Sequence, residues 1–72
     1  MMTDTKDKLI SAATEYDRKQ STKRSYNPYA LSQYFAAIDE VILEVDRGVS
    51  VETALAHHFN DRLLATLQRA VR

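Results

Sequence analysis

The sequence predicts an all-α fold, a small three- to four-helix bundle with a long central helix. Two observations point there. One glycine and one proline among 72 residues leave few turns, which favours long helices over many short strands. Between residues 28 and 47, apolar side chains recur at i, i+3, i+4 and i+7, the spacing of one face of an α-helix. No segment carries the period-two alternation of a half-buried strand.

The chain has room for one domain, residues 1–72, near the lower limit at which a core sustains a fold without disulfides, metal or oligomerisation. Leu, Ile, Val and Phe number 17, enough for a helical core with little reserve against chain entropy. Cysteine is absent, which excludes a disulfide framework, a thiol nucleophile and thiolate metal ligation. The opening MMTDTKDKLISAATE is charged throughout, unlike a secretory signal, and no run reaches the 18 to 20 apolar residues of a membrane span, so a cytoplasmic location is expected. Net charge is zero but unevenly placed: +2 up to Tyr26, −3 from Asn27 to Gly48 and +1 thereafter. A dedicated nucleic-acid binder is usually strongly basic.

In chain order, residues 1–19 read as a first helix or a mobile arm. Asp4 or Thr5 can cap it, and Leu9, Ile10, Ala13 and Tyr16 form a thin apolar face. A basic linker follows at 20–26, and residues 27–72 form the helical core. In SYNPYALSQY, Asn27 is a preferred N-cap, and Pro28 suits the next position because it lacks an N–H and has φ preset for a helix. The central helix should run from Pro28 to Arg47 and stop at Gly48, which can adopt the left-handed conformation. Its main stripe is Leu31, Tyr34, Phe35, Ile38, Val41, Ile42 and Val45. Ser50 should cap a short third helix and Asn60 a fourth. Leu55, Phe59, Leu63, Leu64 and Leu67 of these two would pack on the main stripe, with Val71 extending the last apolar face.

A second seam accompanies the main one. Tyr29, Ala36 and Leu43 recur by sevens on the opposite side of the central helix, among Ser32, Glu40 and Arg47. A fully solvated face has no need of Leu43. Either the first helix covers this seam or another chain does. Asp39, Glu40, Glu44 and Asp46 serve as the wet face of the helix, or engage a basic surface on a partner. The candidate partner-binding residues are therefore Tyr29, Ala36, Leu43, Glu40, Glu44 and Arg47.

Chemical motifs are sparse. His57 and His58 are adjacent and should point about 100° apart, whereas metal ligands on one helix want i, i+4 spacing; even with Asp61 four residues after His57 the set falls short of a zinc site. No serine sits beside a recognisable base, and a bundle this small has little volume for a substrate pocket. No catalytic, metal or cofactor residue is assigned, and no enzyme activity, small-molecule substrate or membrane partner is expected. With one glycine, neither G-x-x-x-x-G-K-[ST] nor G-x-G-x-x-G can occur, which removes those phosphate cradles.

Residues 51–71 have a weak helix-turn-helix pattern. Asp61 falls where such motifs place an apolar turn residue, and only Arg62, Arg69 and Arg72 could reach phosphate. The basic RKQSTKR segment could add nonspecific phosphate contacts, though a solvated linker explains it more simply. As a whole, the stretch from Tyr26 to Val71, through its YNPYAL start and FNDRLL turn, resembles short uncharacterised helical accessory proteins of bacterial plasmids, phages and integrated elements. That resemblance implies a protein acting on a larger host or element protein, defence systems included, and transfers no site residue. The function expected is a noncatalytic protein-interaction module, a regulator or inhibitor, with homodimer formation allowed. The alternative is a small DNA-binding regulator.

Overall fold

The computed structural model describes residues 2–72, with side chains from Asp4 onward, and contains four helices: α1 Met2–Gln20, α2 Ala30–Asp46, α3 Val51–His58 and α4 Asp61–Ala70. Among the described residues there is no strand. The helices pack in a ring: α1 on α2, α2 on α3, α3 on α4, and α4 back on α1. The result is about twice as long as it is wide, 39 × 18 × 17 Å.

Helix α1 begins before the expected caps, and Asp4 lies in its first turn, where a carboxylate complements the positive helix end. It docks as a helix: Leu9 and Ala13 are fully buried and Tyr16 packs beside them. The linker leaves α1 through tight turns, Ser21 N–H to the Asp17 carbonyl at 3.0 Å and Lys23 N–H to the Gln20 carbonyl at 2.9 Å. A 2.9 Å hydrogen bond from the Tyr26 hydroxyl to the Asp17 carboxylate then ties it back to α1.

Asn27 Oδ1 accepts from the Tyr29 N–H at 2.9 Å, which is N-cap chemistry. The Ala30 N–H reaches the Asn27 carbonyl at 3.1 Å, so Asn27 and Pro28 lead in through one tight turn before α2 proper starts at Ala30. At the far end, Gly48 has φ +102°, its N–H bonds the Val45 carbonyl at 3.0 Å, and the Val49 N–H bonds the Glu44 carbonyl at 3.1 Å. This pair of bonds is a Schellman motif and satisfies carbonyls the helix end would otherwise leave open.

The core joins Leu9 and Ala13 of α1, Ile38 and Val41 of α2, Ala54 and Leu55 of α3, Phe59, and Leu63 and Leu67 of α4. Phe35 does not belong to it. At about 100° per residue, Phe35 sits about 60° beyond Ile38 and about 120° from Val41, at the edge of the stripe. The ring of helices buries the side centred between Ile38 and Val41, and Phe35 stays 36% exposed. Tyr34 supplies the aromatic contact instead, with its ring 6.4 Å from those of both Tyr16 and Phe59. Helix α4 also departs from expectation, lying against α1 and α3 and diagonal to α2.

Ser50 caps α3, accepting from the Thr53 N–H at 3.3 Å. The chain breaks at Phe59 and Asn60, both extended, but the Asn60 side chain makes no capping bond. Asp61 instead takes φ +59°, the left-handed region that Asp tolerates better than most residues, and this reverses the chain into α4. Gln68 of α4 and Arg72 just after it reach Glu52 at the start of α3, which fixes the two short helices antiparallel.

Candidate protein-interaction surface

Helix α2 has neighbours on two flanks, α1 and α3, and its outward side faces neither. Lys6 of α1 reaches Asp39 at 3.0 Å and Glu44 faces α3, which marks the limits of the covered region. Between those limits lie Tyr29, Ala36 and Leu43. Tyr29 is 73% exposed and Leu43 48%, and Ala36 is exposed with them. The expectation that the first helix covers this seam is therefore not met: α1 spends its narrow apolar face on the main stripe, where Leu9 and Ala13 are buried.

Tyr29, Phe35 and Leu43 are the exposed large apolar side chains among those described, and all three lie on α2 or the turn that opens it. Seven residues span about two turns, so Tyr29 to Leu43 makes a row about 21 Å long. Glu40, Asp46 and Arg47 are exposed beside it, as is Asp39 on the Phe35 side. Three carboxylates against Arg47 make the surroundings of the row acidic, even with Asp39 partly neutralised by Lys6.

Five of the six expected partner-binding residues, Tyr29, Ala36, Leu43, Glu40 and Arg47, are thus exposed on or beside one face. Glu44 is not available with them. It turns toward α3, where one carboxylate oxygen pairs with His57 Nδ1 at 2.7 Å and the other with His58 Nε2. Those hydrogen bonds, first from His57 and then from His58, hold its carboxyl below the usual glutamate range, against a smaller opposing effect of burial. The two imidazoles do not diverge as their adjacency suggests, because His58 ends α3 and each ring bends to the same carboxylate. No local spacing announces a contact across 13 residues, so sequence reasoning missed this clasp. It missed Phe35 as a surface residue for a related reason, since helical period alone does not say how wide the buried stripe is.

Among the described residues, no group of three or more potential ligands is arranged to hold a metal ion, and no helix is long and apolar enough to cross a membrane. Comparison with protein-family models, with curated proteins and with solved structures finds no match to this chain.

Proposed function

We propose that this chain is a noncatalytic protein-interaction module, a regulator or inhibitor that binds a larger protein through the outward face of α2. One observation carries the reading: Tyr29, Phe35 and Leu43, the large apolar side chains left exposed among the described residues, gather on one helix and its opening turn in a protein too small to leave apolar surface uncovered freely. The partner that fits is a protein presenting an apolar strip flanked by lysine or arginine, since Asp39, Glu40 and Asp46 surround the row. Tyrosine at one end of the row suits such a contact, because it supplies large, rigid area with a polar tip. Absence of cysteine suits a cytoplasmic setting. On this reading the partner is a host or element protein, anti-defence targets included, as the resemblance of residues 26–71 to accessory proteins of plasmids, phages and integrated elements implies.

The test begins with affinity capture from the source cells and ends with purified components. Leu43→Glu and Tyr29→Ala should each weaken binding of the captured protein at least about tenfold, as substitutions at the centre of an interface do. Binding should also weaken with added salt. Light scattering that finds a dimer lost on Leu43→Glu would make a second copy of the chain the occupant.

The DNA-binding alternative has a weaker basis. Arg62 and Arg69 are exposed on α4, but Asp61 stands at the helix end that would approach the phosphates, and Arg72 is engaged by Glu52. Salt-dependent binding of labelled duplex, lost when Arg62 and Arg69 are replaced by Gln, would favour it.

A further inference from the structure

Asp17 is the one charged residue buried among those described, 8% exposed. Its Oδ2 accepts the Tyr26 hydroxyl at 2.9 Å, and its Oδ1, also buried, has no hydrogen-bond partner. None of the ion pairs among the described residues includes Asp17. This is an expensive arrangement, because burying a carboxylate costs several kcal/mol unless it is paired. Tethering the linker does not account for it: an asparagine at 17 would accept from Tyr26 equally well without burying a charge.

The residue lines a cavity of about 170 Å³ between the end of α1, the linker and the start of α2, walled by Tyr16, Tyr26 and Tyr34 with Gln20 and Lys23 at its side. Tyr16 and Tyr34 meet edge to face, 6.4 Å between ring centres. Both Tyr26 and Tyr34 have their phenols pushed up, Tyr26 first by its bond to Asp17 and Tyr34 first by burial, so these two walls of the site are uncharged at neutral pH.

We propose that this cavity binds an organic cation of the guanidinium or alkylammonium class, its charge on Asp17 and its flat or methylated body against the tyrosines. Carboxylate plus aromatic walls is the combination that attracts such cations. The volume is below the 300 to 1,000 Å³ of drug-sized sites and suits a single head group. A hard metal ion is a poor fit, since Ca²⁺ sites are built on several carboxylates and the cavity offers a single one, with Lys23 at its side. The cation can be a free small molecule or the tip of an arginine on a protein. This proposal stands apart from the α2 face and does not depend on it.

The test is a titration of the full chain followed by amide chemical shifts, at constant ionic strength and millimolar ligand. The ligands are methylguanidinium, a blocked arginine peptide and the same peptide with neutral citrulline. Methylguanidinium is expected to give saturable shifts confined to the neighbourhood of residues 16–34, with no response to citrulline. If the arginine peptide binds at least as well, a protein side chain is the natural source; if methylguanidinium alone binds, it is a free cation. Asp17→Asn, its fold checked by spectral dispersion, should weaken binding at least about tenfold, the scale of a lost charge-assisted bond. Lys23→Gln, an exposed change that removes a positive charge beside the cavity, should tighten it roughly two- to fivefold. Shifts that fail to saturate or spread over the whole surface overturn the proposal, as does an affinity that ignores both substitutions.

Discussion

Phe35 and Ile38 are three residues apart on α2, and their surroundings differ enough to make opposite predictions. Ile38 is fully buried in the cluster formed by all four helices. Truncation to alanine leaves a cavity and should cost about 2 to 5 kcal/mol. Phe35 has one side in water, and Phe35→Ala should cost no more than about 1 kcal/mol. Urea unfolding of the two variants checks the pair, and equal losses would place the core elsewhere on the helix. Glu44 makes a second residue-scale prediction. Its carboxyl is held below the ordinary value near 4.5, so its clasp on His57 and His58 stabilises the fold above that pH and is lost as pH falls through the lower folded value. The difference in Tm between wild type and Glu44→Gln should shrink toward zero as the solution is acidified from about pH 5 through the lower folded value. A difference independent of pH across that range would contradict the clasp.

The helix ends supply the predictions at the next scale. Ser50 and Asn27 each accept a backbone N–H, so Ser50→Ala and Asn27→Ala should each cost about 0.5 to 2 kcal/mol. Asn60 caps nothing, and Asn60→Ala should stay within about 0.5 kcal/mol of wild type. Thermal midpoints of the three variants separate the caps that act from the one that does not. These ends also show what the sequence could reveal. Asn27, Gly48 and Ser50 were legible because each acts on residues two to five positions away, within reach of local chemistry. The position of α4 was not, since its leucines fit equally well on α2 or on α1, and only the closed ring of helices decides. The same division runs through the candidate surface. Helical period alone puts Tyr29, Ala36 and Leu43 on the side away from the core. Whether α1 covers them, and whether Glu44 joins them, depends on contacts between distant segments that period cannot register. The Asp17 cavity was illegible for that reason too, because nothing in the order of residues brings Asp17 against Tyr26 and Tyr34.

At the scale of the molecule, a chain of this length should have a stability of about 4 to 11 kcal/mol, so each helix matters to the whole. Removing residues 1–19 takes Leu9 and Ala13 out of the cluster and uncovers Ile38, Val41 and Leu67. The truncated chain is expected to lose its cooperative unfolding transition, as read by circular dichroism against urea. That outcome would follow from loss of the main stripe and not of the outward seam, which α1 leaves bare. The central claim is that the bare seam serves a partner and not the fold, and Leu43→Glu tests it most directly. Its unfolding free energy should match wild type within about 0.5 kcal/mol, while binding of the captured partner falls at least about tenfold. A variant that is destabilised by several kcal/mol, or one that binds as wild type does, would contradict the account.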